Sequence, residues 1–208
     1  MRLKPFVIFV ITAMATAIAI SASWLPLPFN QARAVQPANP QIILTTPYYA
    51  INGTTADQLR RQMNQVGVLD PRSNRRFDGY TSWQIRWQYR YITSDNACRI
   101  HKATVKTNIT MTLPRWNPPR NASRKVIYRW QTYSKALKTH EDGHKQNGIN
   151  AGNEVLQTLQ SLPGYTSCDQ LGKTANTLGD HLIQKHTQWD IAYDKATGHG
   201  VSQGAVFP

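Results

Sequence analysis

The chain has 208 residues and a formal net charge of +13 at neutral pH, with 24 lysines and arginines against 11 acidic residues. This length suits one domain with its own hydrophobic core. The positive charge favours anionic partners, but the basic residues are scattered and form no nucleic-acid-binding motif. Nucleic acid is therefore not expected as a partner. Neither of the two cysteines has the spacing of a cysteine-based metal cluster.

The N-terminal segment has the features of a bacterial export signal. Basic residues precede an apolar run from Phe6 to about Ala22, and Ala32-Arg33-Ala34 offers a small-x-small cleavage site. The sequence predicts a signal peptide over residues 1–34 and a secreted or periplasmic protein without a stable membrane span after cleavage. A cut near Ser23 and an uncleaved anchor are the alternatives, because the apolar run is borderline in length for a span.

The segment that follows the signal is short and polar. Residues 35–46 contain prolines and polar side chains and are expected to form a lead-in, so that a single domain occupies residues 47–208. Tyr48 to Ile51 is predicted to be a short strand. Thr54 or Thr55 then caps a helix that extends to about Val66.

A period of two residues dominates the next part of the chain. From Tyr80 to Ile92, tryptophans, tyrosines and an isoleucine alternate with glutamines and arginines, and the alternation returns from Ile100 to Leu113. Both segments are predicted to be strands that pair as an antiparallel hairpin across Ser94-Asp95-Asn96. Pro114 and Pro118-Pro119 are expected to end the β region.

The second half of the chain has helical periodicity. One stripe has spacings of three and four residues and comprises Val126, Trp130, Tyr133, Leu137, His140, His144, Gly148, Ala151 and Val155. Pro163-Gly164 ends this helix, and a second one is expected from about Cys168 to Lys195. The short connection predicts an antiparallel helix pair. The fold class is therefore α+β: a small antiparallel sheet followed by two long helices.

Residues 140–144 read H-E-D-G-H, which fits the pattern H-E-x-x-H. On a helix, His140 and His144 lie on one face and can bind one ion, while Glu141 can take a proton from a metal-activated water. This is the arrangement of zinc peptidases. The alternative is two core histidines without a metal, but a buried, unpaired Glu141 would cost several kcal/mol.

A catalytic zinc site takes a third protein ligand and leaves one position for water. The helix pair brings residues after position 185 near the two histidines. His199, in a glycine-rich turn after the second helix, is the first choice, and Asp194 is the alternative. Glu154 and His186 are less favoured; Glu154 lies about 15 Å beyond His144 along a straight helix.

The two cysteines are expected to form a disulfide. Cys98 and Cys168 are the only ones in the chain, and an exported protein meets an oxidising compartment. Closing a loop of about 70 residues stabilises the fold by about 4 kcal/mol in the loop-entropy model.

Several motifs together carry a family resemblance. They are Gly79-Tyr80-Thr81-Ser82-Trp83, Leu113-Pro114-Arg115-Trp116, the H-E-D-G-H motif, and the tail with Tyr193-Asp194, Thr197, His199-Gly200 and Gln203-Gly204. The chain resembles, from about residue 45 to 207, a domain-of-unknown-function family of bacterial secreted proteins labelled predicted zinc-dependent proteases. The resemblance implies an exported, zincin-like metallopeptidase.

The residues therefore predict a zinc-dependent peptidase of H-E-x-x-H type that acts on protein or peptide. Glu141 is the general base, and Tyr193 is a further candidate, as a hydrogen-bond donor to an oxyanion. A different class stays open: a non-catalytic exported protein with a structural or vestigial metal site. Such a protein would use its positive charge to bind an anionic cell-envelope polymer or a partner protein.

Overall fold

The computed structural model describes residues 39–70 and 74–207. The predicted signal peptide, residues 1–34, lies outside these residues. The elements in chain order are β1 (Gln41–Thr45), β2 (Tyr48–Ile51), α1 (Ala56–Val66), β3 (Val68–Asp70), β4 (Arg75–Phe77), β5 (Tyr80–Ser94), β6 (Ala97–Trp116), α2 (Arg124–Ser161), α3 (Cys168–Thr197) and a 3-10 turn (Val201–Gln203). The predicted α+β class is confirmed.

The long β-hairpin of β5 and β6 is present as predicted. The strands pair antiparallel from Tyr80 opposite Thr112 to Ser94 opposite Ala97. Asp95 and Asn96 form the two-residue turn with φ angles of 50° and 59°, which asparagine and aspartate tolerate better than other side chains. Alternation along β5 then directs its aromatic side chains to the face that packs on the helices.

The prediction of an antiparallel sheet is only partly right. Strands β1 and β2 both pair parallel with β6, through Gln41 opposite Lys106 and Tyr48 opposite Leu113. With 20 residues, β6 is long enough to take β1 and β2 one after the other along the edge opposite β5. The prediction of a lead-in over 35–46 is wrong at its end, because residues 41–45 form β1.

Pro114 does not end the β region as expected. Strand β6 continues to Trp116, with Pro114 opposite Tyr49. The pairing with β5 stops at Thr112, so β2 is the only neighbour of β6 beyond that point among the described strands. A proline lacks an N–H donor, and a strand with one open edge tolerates that loss.

The two long helices form the predicted antiparallel pair. Contacts run in opposite order along them: His144 meets Asp190, Asn147 meets His186, and Glu154 meets Lys185. Serines cap both N-termini, with Ser123 accepting from the Val126 amide and Ser167 from the Gln170 amide.

Two apolar clusters form the core, one toward each end of α2. The first joins α1, β2 and the start of α2, and contains Ile51, Leu59, Met63, Met111, Leu113, Trp116, Trp130, Tyr133, Leu137 and Phe207. The second joins β6, the end of α2 and α3, and contains Ala103, Val105, Val155, Leu156, Leu159, Ala175 and Leu182. The H-E-D-G-H motif lies on α2 between them.

The disulfide predicted between Cys98 and Cys168 is present, with a Cα–Cα distance of 5.2 Å. It joins the start of β6 to the first residue of α3 and encloses the motif. Within the described ranges, no helix is both long and apolar enough to cross a membrane.

Candidate metal centre

Two histidines and one aspartate converge between α2 and α3. His140 Nε2 and His144 Nε2 lie 3.1 and 3.0 Å from Asp194 Oδ1. Both histidines are buried, with 3% and 7% of their surface exposed. One potential ligand atom from each of the three residues lies within 4.8 Å of the others. The helical spacing thus brings the two predicted histidine ligands to one point.

The remaining ring nitrogens face hydrogen-bond acceptors. His140 Nδ1 lies 2.9 Å from Gln203 Oε1, and His144 Nδ1 lies 2.8 Å from Asp190 Oδ1. Gln203 Nε2 donates to the Tyr193 hydroxyl at 2.9 Å, which leaves its oxygen to accept from His140. Each Nδ1 can therefore donate a ring proton to its acceptor, which leaves each Nε2, the nitrogen that faces Asp194, to take either a second proton or a metal ion.

This arrangement of donors can accommodate a cation. Two imidazole lone pairs and a carboxylate oxygen repel one another unless protons or a metal ion lie between them. Histidines whose outer nitrogens donate to a carboxylate or amide oxygen are typical of metal ligands, because that bond fixes the tautomer and the ring orientation. Two imidazoles and one carboxylate also match the donor types that Zn²⁺ prefers. The residues fit a divalent metal.

Electrostatics at the site favour positive charge. Burial alone would lower the pKa of His144, but hydrogen bonds to Asp190 and Asp194 outweigh it and raise that pKa to about 9. Burial likewise acts to raise the pKa of Asp194, and the hydrogen bonds from His140 and His144 reverse this and hold it well below its usual range. A divalent cation bound between these residues would supply the same positive charge without the uptake of protons.

Glu141 lies buried beside this cluster, with 3% of its surface exposed. Thr81 donates a hydrogen bond of 2.8 Å to Glu141 Oε2. A Cβ placed on Gly79 would lie 2.7 Å from Glu141 Oε1, so this carboxylate oxygen lies against the backbone that leads into β5. Burial raises the pKa of Glu141, while the Thr81 hydrogen bond and the positive charge of His144 oppose that rise.

Of the two candidates for the third ligand, Asp194, the alternative, lies in the three-residue cluster. His199, the first choice, lies beside it, with Nδ1 3.4 Å from Asp194 Oδ1 and its ring packed on Phe77. Asp194 follows Asp190 by one turn of α3, which remains helical through Thr197, and both aspartates face α2. His199 lies beyond the helix end.

The less favoured candidates Glu154 and His186 pair with each other. His186 Nε2 lies 2.8 Å from Glu154 Oε2, and Lys185 Nζ lies 2.6 Å from Glu154 Oε1. Glu154 is therefore held by His186 and Lys185 farther along the helix pair and lies outside the three-residue cluster.

The Tyr193 side chain packs on His140. Its ring stacks on His140, with centroids 5.0 Å apart and planes 9° apart, and its hydroxyl donates to the His140 carbonyl at 3.3 Å. The same ring lies over Gly143, where any side chain would collide with it. This contact explains on steric grounds why residue 143 of the H-E-D-G-H motif is a glycine.

Four further residues position the cluster, and none of them was assigned that role from the sequence. Thr81 holds Glu141, Gln203 holds His140, and Asn147 donates from Nδ2 to Asp190 Oδ1 at 3.0 Å. Trp83 Nε1 also donates to Asp190, at 2.8 Å to Oδ2. Thr81, Trp83 and Gln203 lie in motifs of the family resemblance, and Asn147 follows His144 by three residues and so shares its helix face.

Comparisons with known proteins give one match. No curated protein matches the chain, and no solved structure matches it. A family model matches residues 46–200, which include β2, both long helices and the whole metal cluster. The chain therefore belongs to the bacterial family described as "Bacterial protein of unknown function (DUF922)".

Proposed function

We propose that this chain is an exported zinc-dependent metallopeptidase that hydrolyses peptide bonds in protein or peptide substrates. One observation carries the proposal: a buried carboxylate, Glu141, follows directly on one member of a converging His140–His144–Asp194 cluster. Metal ligands with an adjacent general base are the combination that metal-assisted hydrolysis requires.

His140, His144 and Asp194 would hold the ion. When bound, Zn²⁺ would supply a Lewis acid that polarises the scissile carbonyl and makes water acidic enough to react near neutral pH. The described cluster contains three protein groups. Three ligands are typical of catalytic zinc, whereas a structural zinc usually takes four. The catalytic proposal therefore requires that His199, whose Nδ1 lies 3.4 Å from Asp194 Oδ1, is not a fourth ligand.

Glu141 is the proposed general base. Thr81 fixes Oε2, which leaves Oε1 to accept a proton from the attacking water and to deliver it to the leaving nitrogen. The raised pKa of Glu141, caused by burial, suits this exchange because an efficient proton shuttle has a pKa closer to neutrality than a solvated glutamate.

Asp190 and Gln203 have positioning roles in this proposal. Each accepts from the Nδ1 of one histidine and so keeps its Nε2 deprotonated and aimed at the ion. Tyr193 Oη already bonds to the His140 carbonyl and to Gln203. We therefore assign Tyr193 to support of His140, and its role as an oxyanion donor remains a prediction from the sequence.

Metal content tests the first half of the proposal. Plasma mass spectrometry of the purified protein should find about one zinc per chain, as expected for one three-ligand site. The variants His144→Ala and Asp194→Ala should lose the metal, while His199→Ala should keep it. A folded wild-type protein that binds no divalent metal at micromolar supply would overturn the metallopeptidase proposal.

Glu141→Gln tests the second half. This variant should bind zinc normally and hydrolyse a casein or peptide-library substrate about 10²- to 10⁴-fold more slowly, because the base is lost and the ligands remain. Asp180→Asn is the matched control, since it removes one carboxylate at an exposed position of α3 and should leave activity within about twofold, as an exposed change away from the site does. Equal activity of Glu141→Gln and wild type would exclude Glu141 as the base.

A further inference from the structure

The face of the sheet that points away from α2 carries two pairs of like charges. Arg86 on β5 lies directly opposite Lys106 on β6, and Arg90 lies directly opposite Lys102. All four side chains are exposed. Residues directly opposite each other in an antiparallel pair have Cα atoms about 5 Å apart, and like charges at such positions destabilise the sheet.

Acidic residues do not relieve this repulsion. The sequences of β1, β5 and β6 contain no aspartate or glutamate. Within the ranges that the structure describes, none of the four cations forms an ion pair. The two pairs are four residues apart along each strand, or about 13 Å. The fold thus maintains a stripe of uncompensated positive charge at a cost to its own stability.

Uncharged hydrogen-bonding side chains separate and flank the cation pairs. Gln88 lies opposite Thr104 between the two pairs, and Gln84 lies opposite Asn108 beyond them. Ser82 opposite Thr110 continues the row. The exposed strip therefore alternates between sites that attract anions and sites that donate and accept hydrogen bonds.

The composition of this strip argues against other polyanionic partners. Single-stranded nucleic acid needs aromatic platforms for its bases, but the aromatic side chains of β5 lie on the opposite face, where Trp83 and Trp87 pack on Gly148 and Gly179. A membrane surface needs apolar anchors, and β5 presents none on this face from 82 to 90. A polymer with many hydroxyl groups and regularly spaced anions would match both the cation pairs and the hydrogen-bonding pairs of this strip.

We propose that the outer face of the β5–β6 hairpin, defined by Arg86, Arg90, Lys102 and Lys106 with the polar pairs between them, is a docking site for a linear anionic glycan. The anionic groups meet the cation pairs, and the sugar hydroxyls meet Gln84, Gln88, Thr104 and Asn108. This face lies on the other side of the sheet from the metal cluster, so the proposal does not rest on the peptidase activity.

The test is calorimetric titration of the full chain with polygalacturonate, a linear polyuronate, at fixed ionic strength. Changing Arg86, Arg90, Lys102 and Lys106 together to glutamine should weaken binding by about tenfold or more, because each cation that meets the polymer releases a counterion. The control changes Arg61, Arg120, Arg124 and Lys125 to glutamine, which removes the same charge from other exposed positions, and should weaken binding less than about threefold.

Three results would overturn the proposal. They are absence of binding to polygalacturonate, equal losses in the two variants, and equal or tighter binding of polyglutamate or single-stranded DNA of matched charge. Folding of the hairpin variant is checked by its melting temperature. That temperature should equal or exceed the wild-type value at low salt, because the variant removes two repulsive cross-strand pairs.

Discussion

Along α2, the turns near either end pack Trp130, Leu137, Val155 and Leu159 against other apolar side chains, whereas the turns between them, residues 140–147, carry buried histidines, a glutamate and an asparagine. The end regions are stabilised mainly by burial of apolar side chains, which acts without direction. The middle region depends on hydrogen bonds and, under the proposed function, on a bound cation, so that its stability would vary with metal supply. In that proposal, one helix combines an apolar scaffold with a site that a ligand completes.

Chelation of a bound metal should give the largest difference in stability between these regions. If the site binds Zn²⁺ with free metal about 1,000-fold above its Kd, chelation should lower the free energy of unfolding by about 4 kcal/mol. We expect a large fall in melting temperature for wild type in a calorimetric scan with chelator. His144→Ala should melt at one temperature with and without chelator; a chelator-dependent shift in that variant would place the ion elsewhere.

A cavity in the scaffold should have the converse effect. Leu159, 1% exposed, contributes to the second apolar cluster, and Leu159→Ala should cost about 2–5 kcal/mol. Zinc stoichiometry should stay unchanged, since no described ligand lies in that cluster. Denaturant unfolding measures the loss, with exposed Gln160→Ala as a control expected within about 0.5 kcal/mol of wild type. Loss of zinc in Leu159→Ala would show that the regions are coupled.

Glycine-to-alanine changes should have opposite signs beside the metal cluster, at Gly143 of α2, and away from it, at Gly172 of α3. At Gly143 a Cβ collides with the Tyr193 ring, so Gly143→Ala should destabilise the protein by about 1–3 kcal/mol despite its better helix propensity. At Gly172 a Cβ meets only Tyr89 Oη, at 3.4 Å, and alanine should stabilise by up to about 1 kcal/mol. Thermal unfolding of both variants decides, and a stabilised Gly143→Ala would contradict the stacking argument.

A further effect is expected at the residue that orients His144. Asp190→Asn keeps the size of the side chain but weakens its hold on His144 Nδ1, and zinc affinity should fall about 10- to 100-fold. Competition with a chromophoric chelator measures this change. Asp180→Asn, at an exposed position of the same helix, should leave zinc affinity unchanged. If the two variants bind zinc equally well, Asp190 has no positioning role.

The sequence predicted those parts of the fold that local periodicity determines. The hairpin, both long helices and the convergence of His140 with His144 follow from residue spacing, and the disulfide from the two cysteines of a chain with a predicted export signal. The parallel pairing of β1 and β2 with β6 did not, because pairing between strands far apart in the chain leaves no periodic signal in either strand.

The third member of the cluster shows a similar limit. The sequence pattern favoured His199, in the turn after a helix predicted to end at about Lys195, over Asp194 in the last turn of that helix; α3 extends to Thr197. Helix ends are the least certain feature of a sequence pattern. Thr81 and Gln203 were missed because their roles arise only from tertiary contact: one lies 60 residues before Glu141 and the other 63 residues after His140.

The turn after α3 has a consequence for tolerance to mutation. Gly198, His199 and Gly200 follow one another with φ angles of 57°, 53° and 87°, and this left-handed run returns the chain so that Gln203 reaches His140. A Cβ at position 200 would also lie 3.0 Å from His140 Cγ. Saturation mutagenesis should therefore accept glycine or asparagine at 199, where the backbone favours them, but no side chain at 200. Substitution should therefore be tolerated at residue 199 but not at residue 200.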